Sequence, residues 1–368
     1  LTGCYADATP DLRLTLASDE ARVVITEAPF ALEIQAPGGR TVLSTAHGEG
    51  AYAGAAATVD TPFLTAQTLP GWDGYEANEA PWRAATRATV RSSTATEATL
   101  DLEGDGVAFT LDVAVDGPRV RLRLDARAAS GFDAPNKASI AFALPEDERF
   151  FGLGERFASV DHRGLSLYSW AEEGGLGQGE STPAGPSNPY PNGPSMTYFP
   201  VPFFLSSRGY GLLLDTTFRS EVHLGSESND AWRAAVNAPG FAATVYVHAD
   251  PFASIGDYTA DTGRPPVPAT WVFGPRRRVN RGAQAEGMYE WRAMRARKIP
   301  ITGIDDSVHF LPALSQLGHE AELAQWTQEL HAAGYKVQAY NNPYVAADAP
   351  SAAADYGYGV EHGYFVEG

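Results

Sequence analysis

Polar and apolar residues alternate one by one through the first two thirds of the chain, and this pattern stops at a proline-rich segment, 263–268. In 120–124, for example, a valine and two leucines are separated by two arginines. Period-two alternation broken by Gly, Pro and Asp clusters is typical of antiparallel strands with one buried face. It predicts a β-sandwich over residues 11–262, followed by a stiff linker over 263–268.

Beyond the linker, in 269–368, short apolar runs alternate with longer amphipathic segments. Strands joined in this way by helices pair in parallel through right-handed crossovers. The pattern predicts strands over 271–273, 301–304 and 337–340 and helices over 284–298 and 319–333. A closed (β/α)₈ barrel needs eight strands and about 250 residues. We therefore expect the first three βα units of an incomplete TIM barrel, with the remainder encoded downstream.

A long connection interrupts the predicted sandwich between two apolar runs, 150–157 and 202–215. The connection, about 158–200, is rich in glycine, proline and aromatic residues. A compact domain keeps a connection of this length mainly when it is a lid or a binding element.

The charge balance and motif content exclude several classes of protein. The formal charge is −18, from 27 Lys and Arg against 45 Asp and Glu. Such an acidic surface disfavours nucleic acid and anionic lipid as partners. No apolar run is long enough to span a membrane. There is no zinc-type His/Cys cluster, P-loop or dinucleotide-binding glycine motif, so we expect neither a metal nor a cofactor.

Cys4 is the only cysteine, which excludes an intrachain disulfide. Its context, Leu-Thr-Gly-Cys, resembles the end of a bacterial lipoprotein signal, in which the cysteine becomes the lipidated first residue. A chance tetrapeptide is the alternative. We favour lipidation, with 1–10 as the remnant of the signal and a linker. This implies a secreted, membrane-anchored lipoprotein, and a firm anchor needs more than one acyl chain.

Polar residues follow each strand predicted beyond the linker, at 276–281, 305–310 and 341–344. In a barrel, side chains at the carboxyl ends of the strands form the active site. The adjacent carboxylates Asp305 and Asp306 can accept paired hydrogen bonds from neighbouring sugar hydroxyls. The alternative for this pair is an Asx turn or a helix cap.

Several segments resemble glycoside hydrolase family 31, which contains α-glucosidases, α-xylosidases and sulfoquinovosidases. They are Phe-Phe-Gly-Leu-Gly-Glu-Arg-Phe at 150–157, Trp-Ala-Glu-Glu-Gly-Gly at 170–175, the run 202–215, Trp-Val-Phe-Gly at 271–274 and Ile-Asp-Asp at 304–306. The resemblance implies a galactose-mutarotase-like sandwich before the barrel. It also implies retaining hydrolysis of α-glycosides by two aspartates, a nucleophile and an acid/base, both on later barrel strands beyond Gly368.

The resemblance further implies that an aspartate after the second barrel strand binds hydroxyls of the sugar, and the sequence leaves Asp305 and Asp306 both open. We expect no catalytic residue within this chain, only side chains that bind an oligosaccharide or α-glycoside. The candidates are Asp305, Asp306, His309, Asn341, Trp170, Glu172 and Arg278. His309 can instead be structural, and the ring of Trp170 can instead pin its loop to the sandwich.

The sugar class is less constrained. The segment 339–348 and the loop at 170–175 resemble the sulfoquinovosidase branch, which recognises a sulfonate. Two adjacent carboxylates at 305–306 would repel a sulfonate, so a neutral α-glucoside or α-xyloside is expected. Among enzymes, a member of the sulfoquinovosidase branch is the alternative. Outside that enzyme family, a non-catalytic carbohydrate-binding lipoprotein fragment is one alternative.

A mutarotase-like sandwich that acts by itself is the other alternative. That chemistry needs a histidine and a carboxylate together in the sandwich cleft. Four histidines fall in the sandwich region, and none shows a convincing pairing in the sequence. They are His47, His162, His223 and His248.

Overall fold

A computed structural model describes residues 13–61, 63–69, 72–169, 197–279, 282–310, 320–341, 345–348 and 350–366. The chain divides into two compact units, residues 1–264 and 265–368, which are treated separately below. Within the described ranges, no helix combines the length and the apolar character needed to cross a membrane.

The first unit consists mainly of antiparallel strands. They are β1 (Arg13–Ala17), β2 (Arg22–Thr26), β3 (Ala31–Gln35), β4 (Thr41–Ser44), β5 (Ala56–Thr58), β6 (Phe63–Leu69), β7 (Trp72–Glu76), β8 (Arg83–Ser93), β9 (Glu97–Gly104), β10 (Val107–Asp116), β11 (Arg119–Ala128), β12 (Lys137–Ala143), β13 (Phe150–Gly154), β14 (Ser166–Ser169), β15 (Pro200–Ser206), β16 (Tyr210–Asp215), β17 (Ser220–His223), β18 (Ala231–Val236) and β19 (Gly240–Val247). A 3₁₀ turn, Gly50–Tyr52, lies between β4 and β5.

These strands form one small sheet and one large sheet, with β6 and β7 as a separate hairpin. The small sheet runs β1-β2-β3-β4, and the large one runs β13-β15-β16-β19-β11-β10-β9-β8-β5-β12-β18-β17-β14. The two halves of the large sheet share a core, because Trp232 of β18 packs edge-on against Phe150 of β13 at 5.9 Å and Phe204 of β15 at 5.5 Å. The predicted antiparallel architecture of this region is confirmed.

The alternation in the sequence explains the register of the central strands. Leu111 of β10 lies opposite Leu124 of β11, and both are buried in the core. Asp112 lies opposite Arg123 on the outer face. Burial of each leucine contributes roughly 1.5–3 kcal/mol, and a one-residue slip would turn both outward, so the register is strongly specified.

Helix α1 (Pro251–Thr262) closes the first unit and was not expected from the alternation. Its start follows a standard signal, because the Asp250 carboxylate accepts a hydrogen bond from the backbone N–H of Phe252 at 3.0 Å and proline occupies the first helical position. Tyr258 of α1 stacks on Phe203 of β15, with ring centroids 4.1 Å apart.

The second unit contains β20 (Arg276–Val279), β21 (Gln284–Ala285), β22 (Met288–Tyr289), β23 (Gly303–Phe310), β24 (Lys336–Asn341), α2 (Glu290–Ala296), α3 (Glu320–Ala332) and α4 (Ala353–Glu361). Strands β20, β23 and β24 form a parallel sheet in that order, as predicted. Ile304 of β23 packs in one cluster with Trp291 of α2 and Trp326 of α3. One face of this sheet is therefore covered by helices.

Two boundaries predicted for this unit were wrong. Residues 271–273 form a 3₁₀ turn, not a strand, because the N–H of Gly274 and the hydroxyl of Thr302 both donate to the carbonyl of Trp271. The helix predicted from 284 begins only at Glu290, since positive φ angles at Glu286 and Gly287 make the tight turn of a β21–β22 hairpin.

Candidate functional site

The carboxyl ends of β23 and β24 lie side by side at one edge of the parallel sheet, and two of the predicted binding residues, His309 and Asn341, lie there. Asp305 is the third of the eight residues of β23 and lies nearer its amino end. In the strand register, Arg278 of β20 lies opposite Asp305 of β23. Further along, His309 pairs with Tyr340 and Phe310 pairs with Asn341, after a shift in register. The four residues therefore lie on three neighbouring strands of one sheet, Arg278 on β20, Asp305 and His309 on β23, and Asn341 on β24.

The expected position of these residues just after the strands was wrong in detail. Arg278 lies within β20, and Asp305, Asp306 and His309 lie within β23. Asn341 is the last residue of β24. The prediction placed strands only where consecutive residues are apolar. The strands extend further than these runs because one of their faces, the one away from the helices, carries polar side chains.

The polar face of this sheet places Asp305 beside Arg276 and Gln338. Ile304 points towards the helices, so its neighbour Asp305 points to the opposite face. There, a terminal nitrogen of Arg276 donates to Oε1 of Gln338 at 2.5 Å, and Nε of Arg276 lies 3.9 Å from Oδ1 of Asp305. That oxygen is buried and has no hydrogen-bond partner among the described residues. A buried carboxylate oxygen without a donor is suited to accept one from a ligand.

Three predicted residues, Cys4, Trp170 and Glu172, fall outside the described residues, as do the side chains of Asp306, His309 and Asn341. Lipid attachment at Cys4 and ligand contacts by the other five stay predictions. Arg278 is exposed on its strand.

The catalytic nucleophile and acid/base were expected after Gly368, the last residue of the sequence. Gly368 itself lies outside the described residues, which extend to residue 366. The position of the two catalytic aspartates beyond Gly368 therefore stays a prediction.

Two of the four sandwich histidines, for which the sequence showed no convincing pairing, lie beside carboxylates, so that expectation was wrong for His223 and His248. Nδ1 of His223 lies 2.9 Å from Oε1 of Glu227, and Nε2 lies 3.3 Å from Oε1 of Glu221. Nε2 of His248 lies 2.7 Å from Oδ2 of Asp257. Glu221 and His223 lie two residues apart on β17, and Glu227 follows in the next turn, so these partners are close in the sequence. The second pair forms because α1 brings Asp257 to His248.

His223 belongs to a larger group, called here the charged cluster, on the outer face of β12, β17 and β18. The charged cluster consists of Glu79, Lys137, Glu221, His223, Glu227 and Arg233. Lys137 is fully buried, and its Nζ lies 2.5 Å from Glu79 and 3.0 Å from Glu221. With His223 protonated, three cations face three carboxylates, which is the balance that buried charges require.

The cluster shifts the titration of its members. Burial opposes the charge on Glu221, but His223, Lys137 and Arg233 together hold its pKa well below the usual value. His223 lowers the pKa of Glu227 to about 2. Burial alone would lower the pKa of His223, yet the two carboxylates outweigh it and the pKa is raised. The cations and carboxylates of the cluster face one another, so His223 helps to neutralise its carboxylates.

The base of the long connection is held in a strained conformation. Leu153 has a φ of 61°, between two glycines that also have positive φ. Nε2 of His162 donates to the carbonyl of Gly152 at 2.9 Å. The guanidinium of Arg156 donates to the carbonyls of Leu153 at 2.7 Å and Tyr168 at 2.8 Å, and burial lowers its pKa to about 10. These hydrogen bonds tie His162, which precedes β14, and Tyr168, within β14, to the segment 152–156.

A family model described as the glycosyl hydrolase 31 N-terminal galactose mutarotase-like domain matches residues 8–222. Over 228 residues the chain is 27% identical to the α-xylosidase XylQ of Lactiplantibacillus pentosus. That match covers 58% of this chain and 27% of the relative, so the chain corresponds to a minor part of that protein.

Solved structures share the fold. A family 31 sulfoquinovosidase from E. rectale, in complex with an aza-sugar inhibitor, aligns with a TM-score of 0.69 and 18% identity, over 96% of this chain and 51% of that one. The cycloalternan-forming enzyme of Listeria monocytogenes, in complex with a pentasaccharide substrate, aligns with a TM-score of 0.52 and 14% identity, over 98% and 44%. At such identities the likeness concerns the fold alone.

Proposed function

The chain belongs to glycosyl hydrolase family 31, through the N-terminal galactose mutarotase-like domain of that family, and on this basis we propose that it forms the amino-terminal part of a retaining α-glycosidase. In this proposal the second unit supplies the first three βα units of a (β/α)₈ barrel. The parallel order β20-β23-β24 and the family membership support it.

The observation that carries the proposal is the position of Asp305. Its buried Oδ1 has no hydrogen donor among the described residues, and it lies on the face opposite the helices, which would be the interior of a barrel. Arg276 and Gln338 form a hydrogen-bonded pair beside it. We assign Asp305 the role of accepting hydrogen bonds from hydroxyls of the bound sugar, and His309 and Asn341, at the carboxyl ends of β23 and β24, the role of lining the sugar site. Asp306 stays the other candidate for the hydroxyl contact.

The chemistry would be supplied by two aspartates on later barrel strands, beyond Gly368. One attacks the anomeric carbon and forms a glycosyl-enzyme, while the other protonates the leaving oxygen and then activates water. Retention places such carboxyl groups about 5–5.5 Å apart. In this proposal the present chain binds and orients the substrate, and Trp170 and Glu172 are among the side chains that contact it.

A neutral α-glucoside or α-xyloside is the substrate class we propose. The relative XylQ is an α-xylosidase, which supports this class. A sulfonate would need a free cation at the strand edge. Arg276 is already bonded to Gln338 and lies near the carboxylate of Asp305, an arrangement that disfavours an anion.

The test is release of 4-nitrophenol from the α-glucoside, the α-xyloside and the sulfoquinovoside, using this chain and the chain extended downstream. We expect activity in the extended protein alone, with the neutral glycosides preferred. Asp305→Asn should lower kcat/KM on the order of a hundredfold, since a hydrogen bond to a charged group is worth roughly 1.5–3 kcal/mol. Glu361→Gln, at an exposed carboxylate of α4, is the matched control.

Activity in the 368-residue chain itself would overturn the assignment, because its catalytic carboxylates would then lie within residues 1–368. Inactivity of both proteins on all three substrates would favour the non-catalytic carbohydrate-binding hypothesis.

We also propose that Cys4 carries the lipid anchor of a secreted lipoprotein. Metabolic labelling with a radioactive fatty acid should mark the wild-type protein and leave Cys4→Ser unlabelled. Equal labelling of both would reject this proposal.

A further inference from the structure

A groove of about 1000 Å³ crosses the outer face of the large sheet. It passes over β9, β10, β11, β19 and β16, which are neighbours in the sheet. Five strands at a spacing of about 4.8 Å make the groove roughly 19 Å long. Short side chains in its lining, those of Ala114, Ala242 and Thr244, lie beside the longer Arg121 and Arg123 of the neighbouring strand β11 and leave the space that forms it.

Strand register arranges the lining side chains in two rows across the sheet. The first row runs Thr99, Asp112, Arg123, Ala242 and Asp215. The second row runs Glu97, Ala114, Arg121, Thr244 and Leu213. Every residue in both rows belongs to the groove lining. The rows lie two residues apart on each strand, hence about 7 Å apart on the same face.

The first row places hydrogen-bond donors and acceptors side by side. The hydroxyl of Thr99 donates to Oδ1 of Asp112 at 2.7 Å. Nε of Arg123 donates to Asp125 at 2.9 Å, and among the described residues its terminal nitrogens have no partner. The Arg123 side chain is 67% exposed, so those nitrogens are accessible from the groove.

We propose that this groove is a binding site for a neutral oligosaccharide. Each sugar hydroxyl both donates and accepts, so a row that offers carboxylate, guanidinium and hydroxyl groups in succession matches a chain of hydroxyls. The substrate class, an α-linked glucan, rests on the proposed function.

The charges and the apolar content of the lining favour a neutral sugar over an anion or a protein. Arg121 lies 3.3 Å from Asp116, and Arg123 lies 2.9 Å from Asp125, so neither arginine presents uncompensated positive charge to an anion. Glu97, Asp112 and Asp215 add further negative charge to the lining. A protein partner would require an apolar centre, and Leu213, the large apolar side chain in the two rows, is only 7% exposed.

The test is calorimetric titration of the 368-residue chain with maltoheptaose. We expect saturable binding that weakens at least about tenfold in the double variant Asp112→Ala/Arg123→Ala, since each lost charged hydrogen bond is worth roughly 1.5–3 kcal/mol. Arg22→Ala, at an exposed arginine on the small sheet, should bind as the wild type does. Ala242→Arg should abolish binding, because it fills the groove without removing a bonding group.

Three results from the wild type and the groove variants would overturn the proposal. They are an absence of maltoheptaose binding by the wild type, unchanged binding by both groove variants at unchanged melting temperature, and tighter binding of a heparin oligosaccharide. The variant Asp305→Asn distinguishes maltoheptaose binding in the groove from binding beside Asp305. Loss of binding in that variant alone would also reject the groove as the binding site. Hydrolysis by the extended protein is scored separately, so failure of the proposed enzyme and failure of the groove are distinguishable.

Discussion

Nδ1 of His223 lies 2.9 Å from Oε1 of Glu227, so a histidine at the end of β17 is paired with a carboxylate in the turn that follows. The other oxygen of Glu227 accepts a hydrogen bond from the Tyr52 hydroxyl at 2.8 Å. The pair therefore joins β17, the β17–β18 turn and the 3₁₀ turn at Gly50–Tyr52. How tightly these segments are held depends on the proton carried by His223.

The stability of the sandwich should accordingly pass through a maximum in mildly acidic solution. The folded-state pKa of His223 is raised, so its contribution is complete below about pH 6.5, the unfolded value, and is lost as the pH rises through the folded value. The pKa of Glu227 is lowered to about 2. Its contribution is present above about pH 4.3 and is lost as the pH falls towards that folded value.

Thermal unfolding between about pH 3 and 9 tests this relationship. His223→Gln should remove most of the decline on the alkaline side, and His47→Gln, at an exposed histidine, should keep it. If the two variants decline in parallel with the wild type above about pH 6.5, another group is responsible.

Replacing Lys137 by methionine should destabilise the first unit by about 3–5 kcal/mol. Its fully buried ammonium neutralises Glu79 and Glu221, and the change would leave Glu221 buried with one cation fewer. Adding Glu221→Gln to Lys137→Met should recover part of the loss, because the stranded charge is then removed. Urea unfolding gives both values, with Arg13→Met, at the exposed first residue of β1, as control. A loss below about 1 kcal/mol would mean that the cluster tolerates an unpaired carboxylate.

The sheets could be predicted from the sequence because burial on one face imposes alternation that needs no distant information. Strand 120–124 and its partners follow directly from that rule. Short apolar runs carry no such alternation. Residues 271–273 have the composition of a strand, and their 3₁₀ turn depends on a hydrogen bond from Thr302, far along the chain. Element type there is decided by tertiary contact.

The charged cluster was missed for a related reason. Lys137, Glu221 and Arg233 come from three strands, and only their pairing brings the side chains together. A signal existed in the sequence, because each of these strands carries a long charged side chain among small or apolar residues. Asp305 was identified, since a carboxylate directly after an apolar run is visible locally, but its neighbour Gln338 was not.

Gly154 and Gly164 form a matched pair for measuring the constraint at the base of the long connection. Both have φ near +85°, and a Cβ at Gly164 would have nothing within 4 Å, whereas one at Gly154 would lie 2.1 Å from the carbonyl oxygen of Phe199. Gly164→Ala should cost about 1–2 kcal/mol, the penalty of the left-handed conformation. Gly154→Ala should cost more, because β13 must also separate from β15. Equal melting temperatures for the two variants would show that β13 and β15 can separate at little cost in stability.

Glu148 provides the opposite pH dependence to Glu227. Burial raises its pKa, even though its carboxylate accepts hydrogen bonds from Ser206 at 2.5 Å and Tyr210 at 2.8 Å. A carboxyl whose folded pKa lies above the unfolded value stabilises fully below about pH 4.3, and that contribution is lost as the pH rises through the folded value. Glutamine keeps an acceptor for both hydroxyls but carries no charge.

The melting temperature of Glu148→Gln relative to wild type should therefore increase from about pH 4 to about pH 8. Glu146→Gln, at an exposed neighbour, controls for the substitution itself. Because His223 is intact in both proteins, its own titration cancels in the difference. A relative melting temperature that falls with pH would mean that the hydrogen bonds from Ser206 and Tyr210, with nearby Arg163 and Arg208, stabilise the carboxylate more than burial opposes it.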